Sequence, residues 1–225
     1  MSPRSVPESQ SVTRRFSMRA LDLILRSEGL DHGGWPGGSS GVTIGRGYDL
    51  GYHTAEQFDR DWKERLPAQQ YHLLRACIGL TGEKARDKAR ALRGRINIAP
   101  SSADMVFITR TLPRSIELAR DVFPGIDQLP LDAQGALVSL VFNRGGRLTD
   151  RDPALQERRE MRAIKAAVAR GDLREIALQI RSMKRLWMNQ GLNGLLKRRD
   201  EEAELVEKSA ASDNASREVR YTSRP

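Results

Sequence analysis

Apolar residues recur at helical spacing near the start of the chain: Met18, Leu21, Ile24 and Leu25 share one face, and Glu28 continues that stripe. Ser17 stands where an N-cap is wanted and Gly29 where a helix ends, so the pattern predicts a first helix over about 17–28. Glycines from Gly33 to Gly41 then break the periodicity, and Val42-Thr43-Ile44 is the only short β-like run nearby. Thr54 with Gln57 makes a capping-box pattern, Pro67 and Thr81 open further helices, and Ser101 or Ser102 caps one continuing to about Thr111. Pro113 suits the first turn of the next. Leu131 to Phe142 is the most apolar stretch and predicts a central helix buried on nearly all sides. Helices over about 153–169, 172–187 and 195–207 complete the set, and no internal repeat is present.

Residues 1–16 and 209–225 are rich in Ser and Arg and poor in apolar positions, which predicts disordered tails around one folded domain, 17–208. Aromatic residues make up only 5% of the chain while Leu and Ala dominate the apolar set, so the expected class is α+β, mainly α. The 38 Lys and Arg against 29 Asp and Glu give a formal charge of +9, which points to a polyanionic partner, either nucleic acid or a bacterial envelope polymer. A lone cysteine, Cys77, excludes an internal disulfide and a thiolate zinc site, and none of the three histidines has His-Glu-x-x-His spacing. No metal or cofactor is expected. The N-terminus lacks an apolar h-region and no window approaches the ~18 apolar residues of a membrane span. The expectation is therefore a protein made in the cytoplasm, without a classical signal peptide, and delivered by another route.

Glycoside hydrolysis needs an acid to protonate the leaving oxygen and a second group to position or activate water. Glu28, on an apolar stripe at a helix end, suits the first role. Thr43 and Asp49 follow in a segment whose Gly41, Gly45, Gly47 and Gly51 allow tight turns and close backbone approach. Trp35, between Gly34 and Pro36, offers a ring on which a sugar could stack. Ser139 and Asn143 lie four apart on the central helix and could hydrogen-bond a substrate from one side. Each has an ordinary structural reading as well: Thr43 as a strand residue, Asp49 as a cap, Trp35 as core, Asn143 as the helix end before Gly145.

Glu28-Gly29-Leu30 followed by Val42-Thr43-Ile44-Gly45-Arg46-Gly47 resembles the catalytic signature of phage-type lysozymes. The extension Gly47-Tyr48-Asp49-Leu50-Gly51 is similar to the pesticin-like branch of that family. Two later blocks, Ala136 to Gly145 with its Phe142-Asn143-Arg144-Gly145 turn and Gly194 to Arg199 with Glu201 to Leu205, resemble the family's central and last helices. The resemblance implies a lysozyme-like fold, with a small β element beside a helical lobe, and a muramidase cutting peptidoglycan between N-acetylmuramic acid and N-acetylglucosamine. It implies Glu28 as general acid. Gly37 stands where phage-type lysozymes usually carry an aspartate, so the resemblance to pesticin-like members assigns the water-positioning role to Asp49 with Thr43, and Asp31 is the weaker candidate. Trp35, Ser139 and Asn143 become substrate contacts. The implied setting is a monomeric phage lysin or interbacterial toxin at the periplasm or cell wall, with a cognate immunity or inhibitor protein as a further partner. A lytic transglycosylase on the same fold and a basic nucleic-acid-binding protein are the alternatives.

Overall fold

The computed structural model describes residues 12–211 and 218–223. They fall into two units, a middle unit from Ile24 to Arg114 and a terminal unit that combines the chain up to Leu23 with the chain from Ser115 onward. The fold is mainly helical with a small three-stranded antiparallel sheet, the expected α+β class.

Strand β1 (Val12–Ser17) leads directly into α1 (Met18–Glu28). Ser17 acts as the helix cap, its Oγ accepting the Ala20 N–H at 3.1 Å, and Gly29 ends the helix at a φ of +63° that a side chain would disfavour. In the middle unit β2 (Asp31–Gly34), β3 (Thr43–Gly45) and β4 (Tyr48–Asp49) form the sheet in that order. Only β3 carries the β-like signal that the sequence shows; its partners are glycine-rich or two residues long. Helix α2 (Ala55–Trp62) starts with the expected capping box of Thr54 and Gln57, and α3 (Ala68–Arg75) and α4 (Gly82–Leu92) follow Pro67 and Thr81. Ile44, Leu50, Phe58, Trp62, Leu74 and Ile98 form the buried centre of this unit.

Helix α5 (Pro100–Val106) begins with Pro100 at its first position, ahead of the expected Ser101 or Ser102 cap. The stretch expected to continue to about Thr111 ends in a π-helical turn, Phe107–Thr111, and Pro113 lies in the first turn of α6 (Leu112–Val122), as its position predicts, although the helical ladder runs on through the junction. Pro113 has no N–H to give and its ring crowds the carbonyl four residues back, and a wider turn at that point absorbs both effects.

In the terminal unit α7 (Leu131–Arg144) is buried along most of its length, as its apolar run predicts. Asp132 in its first turn is buried and accepts the Ser17 hydroxyl at 2.5 Å and an Arg19 guanidinium N–H at 3.0 Å. A Cβ at Gly135 would fall 2.2 Å from that of Ala20, so α1 and α7 meet across a missing side chain. Helix α8 (Arg159–Ala169) starts later than the sequence suggests, because residues 151–158 turn instead, with Gln156 at a φ of +45°. Helix α9 (Leu173–Ser182) passes into a 3₁₀ turn, Met183–Leu186, before α10 (Asn193–Ala211).

The two expected tails are in part structured. Strand β5 (Glu218–Ser223) pairs antiparallel with β1, from Val12 opposite Ser223 to Ser17 opposite Glu218. Both segments interleave Val, Thr, Phe or Tyr with Arg, and the polar half of that alternation hides the strand from a composition argument. The rest of the tail prediction, residues 1–11, 212–217 and 224–225, lies outside the described residues.

Candidate functional site

The hairpin tip Gly45-Arg46-Gly47 is tied to the end of α1. Arg46 donates to the backbone oxygens of Gly29 (2.5 Å) and Leu25 (3.4 Å), and its Nε meets Asp104 at 2.8 Å. A cation suits these carbonyls, where the helix dipole concentrates negative charge. Glu28, half-buried, is therefore held at the start of the turn into the sheet.

Thr43 and Asp49 face each other as a cross-strand pair of β3 and β4. Thr43 is buried, and its hydroxyl has no hydrogen-bond partner among the described residues. The Asp49 carboxylate is instead engaged with backbone. It accepts the Gly41 N–H at 2.9 and 3.1 Å and the Gly51 N–H at 2.9 Å, capping the 3₁₀ turn Leu50–Tyr52. A Cβ at Gly41 would lie 2.3 Å from that carboxylate, which is why the loop needs glycine there. The position expected to orient water thus has the contacts of a loop clamp. His53 adds to it by giving Nδ1–H to the Asp49 backbone oxygen at 2.6 Å while stacking on Tyr48. Behind it the Tyr48 hydroxyl donates to buried Asp61, which also meets Arg110 from the π turn at 2.9 Å.

A cleft of about 660 Å³ opens elsewhere on the middle unit. Asp31, His32 and Trp35 line it from β2 and the residue after it, and Arg86, Arg90 and Arg93 line it from α4 and its end. Burial pushes the Asp31 carboxyl above its ordinary range, the nearby charge of Glu28 pushes it the same way, and His32 opposes them. The Ile98 N–H donates to His32 Nδ1 at 2.9 Å, so in the neutral imidazole the ring proton sits on Nε2. Trp35 is half-buried and gives its indole N–H to the Ser40 backbone oxygen at 3.0 Å, which fixes its ring at the cleft. Arg86 sits beside Glu83 and Asp87, whereas Arg90 and Arg93 make no ion pair among the described residues.

The middle unit thus contains Glu28, Asp31, Trp35, Thr43 and Asp49 together, with Asp31 rather than Asp49 exposed to the cleft. Ser139 is set apart by its own surroundings. It lies on α7 in the terminal unit, fully buried, donating its hydroxyl to Glu202 at 2.6 Å beside Arg198 and Arg199, so a substrate contact through it is ruled out by burial. Asn143 is exposed in the last turn of α7, also in the terminal unit. Sequence reasoning missed His32, Arg90 and Arg93 as lining groups. The signal was present in the spacing of Arg86, Ala89, Arg90 and Arg93, which puts all four on one helix face. Among the described residues no group of His, Cys, Asp or Glu is placed to hold a metal ion.

No curated protein matches the chain. Residues 31–113 match the model of a domain of unknown function, DUF8812, a stretch that contains the sheet and the cleft and nearly coincides with the middle unit.

Proposed function

We propose that this chain is a peptidoglycan hydrolase of lysozyme-like fold, a muramidase that cuts the β-1,4 bond between N-acetylmuramic acid and N-acetylglucosamine. The observation that carries the reading is Asp31: a carboxyl group in an open cleft, raised by burial and by Glu28 three residues away, with an indole on the same cleft. Glycosidases work with such a carboxyl pair, whose environments separate their roles. Asp31, whose surroundings disfavour its charged form, gives its proton to the leaving glycosidic oxygen, and Glu28 takes a proton from the attacking water as the water oxygen bonds to the anomeric carbon, an exchange of the roles that the resemblance implies. Trp35 supplies an apolar face for a sugar ring. The order of motifs from Glu28 through Thr43 to Arg199, similar to that of phage-type lysozymes, supports the same reading.

The test is mass analysis of fragments released from purified peptidoglycan. Reducing muropeptides that disappear with Glu28→Gln are expected. Anhydro products would replace hydrolysis by transglycosylation, and intact peptidoglycan with the folded wild-type protein would refute the catalytic reading.

A further inference from the structure

The cleft carries a feature that acid–base chemistry does not use. Helix α4 turns Arg86, Ala89, Arg90 and Arg93 toward it, and beyond that helix Ile96 closes against Gly33 of β2. Arg86 is accompanied by Glu83 and Asp87. Arg90 and Arg93 are exposed cations with no acidic partner among the described residues, in a concavity whose lining acid is Asp31. Guanidinium groups pair with planar or tetrahedral oxyanions through two parallel N–H bonds, and two of them one helical turn apart on one wall can receive one such group.

We propose that Arg90 and Arg93 form an oxyanion subsite that reads a carboxylate or phosphate substituent of the glycan strand lying in the cleft. This deepens the muramidase reading and rests on it for the identity of the polymer. The alternative polyanion is single-stranded nucleic acid, for which an arginine wall and a tryptophan are also a common platform. A continuous phosphate backbone, however, would have to pass Asp31, whose carboxyl already carries the cost of burial and of Glu28's charge. A glycan bearing widely spaced anions places neutral sugar against Asp31 and a single negative group against the arginines. The geometry therefore favours an isolated anion on an uncharged chain.

The experiment is calorimetric binding to the folded full-length protein, which does not require turnover. The probes are a disaccharide tetrapeptide with free carboxyl groups, the same compound with those groups amidated, a disaccharide carrying a sugar phosphate, and a dT oligonucleotide. The proteins are wild type, R90Q/R93Q, and K165Q/R174Q, which removes the same charge from exposed positions on α8 and α9. Circular dichroism checks that each variant is folded. The expected result is a roughly tenfold loss of affinity in R90Q/R93Q for the free-carboxyl or the phosphate probe, with K165Q/R174Q unchanged. Loss on amidation assigns the anion to the peptide; binding only of the phosphorylated disaccharide assigns it to phosphate. Equal affinity of R90Q/R93Q and wild type overturns the subsite, as does absence of binding to both anionic glycans, and tighter binding of dT overturns it in favour of nucleic acid. If wild type binds in this arginine-dependent way but releases no reducing ends, the subsite stands and the muramidase reading falls. If it hydrolyses peptidoglycan while R90Q/R93Q binds normally, the reverse holds.

Discussion

Replacing Asp49 separates a loop clamp from a catalytic carboxylate, because the two roles change different measurements. In Asp49→Ala two backbone N–H groups, of buried Gly41 and half-buried Gly51, lose their acceptor. Leaving a buried donor unpaired costs about 1–3 kcal/mol, so the two together should cost about 2–5 kcal/mol. The loop has little freedom to recover it, since Gly41 packs too close to accept even a methyl group. For a chain of this size that loss lowers the melting temperature by about 5–15 °C. Asp49→Asn keeps one acceptor oxygen and loses only the charge assistance, so about 1 kcal/mol is expected, with reducing-end release per folded molecule close to wild type. Thermal and urea unfolding measured beside peptidoglycan digestion decides it. An Asp49→Asn protein that unfolds like wild type but has lost a hundredfold or more of its activity would refute the clamp and return Asp49 to the chemistry.

Asp31 should behave in the opposite way. Its pKa in the folded protein lies above the ordinary 3.8, so between the two values the native state binds more protons than the unfolded one, and stability falls as pH rises through that window. Asp31→Asn removes the ionisable group; urea midpoints measured across pH should show a variant that lacks this fall and is the more stable protein at neutral pH, while its peptidoglycan digestion is reduced. A variant less stable than wild type at pH 7 would sink this account. Thr43→Val replaces a buried hydroxyl that has no partner among the described residues by a methyl group, which should raise stability by about 1 kcal/mol in urea unfolding. Destabilisation of that size would mean the hydroxyl is satisfied in the folded protein.

The elements that sequence predicts well are those whose signal is local. Ser17 with Ala20, the Thr54–Gln57 capping box and the apolar run of α7 each require only a few neighbouring residues, and each forms as expected. The failures are non-local. Strand β1 reads as a polar tail until β5, some two hundred residues later, is available to pair with it. Ser139 shows the same limit at a single side chain. Periodicity puts it on one face of α7 with Asn143, but only the arrival of Arg198, Arg199 and Glu202 from α10 decides that this hydroxyl faces a buried ion cluster and not a ligand. Leaving Glu202 without such partners would cost several kcal/mol, so the conspicuous polar residues of α7 and α10 are explained by burial before any function is invoked.

The same reasoning separates the two aspartates on which the site depends. In sequence Asp49 has the stronger claim, since glycines surround it and the Gly-Tyr-Asp motif names it. Those glycines are also what let the Gly41 and Gly51 amides close onto its carboxylate, and a carboxylate occupied by backbone donors has less capacity to meet a substrate. Asp31 has no motif and follows a helix end as any turn residue does. It gains its setting from residues far along the chain: Ile98 fixes the His32 ring beside it, and α4 supplies the arginines of its cleft. A carboxyl group whose charge is disfavoured by burial and by a neighbouring carboxylate is costly to a fold that does not use it, whereas a capped loop is not. Stability is therefore the sharper discriminator: loss of the side chain should weaken the protein at Asp49 and strengthen it at Asp31.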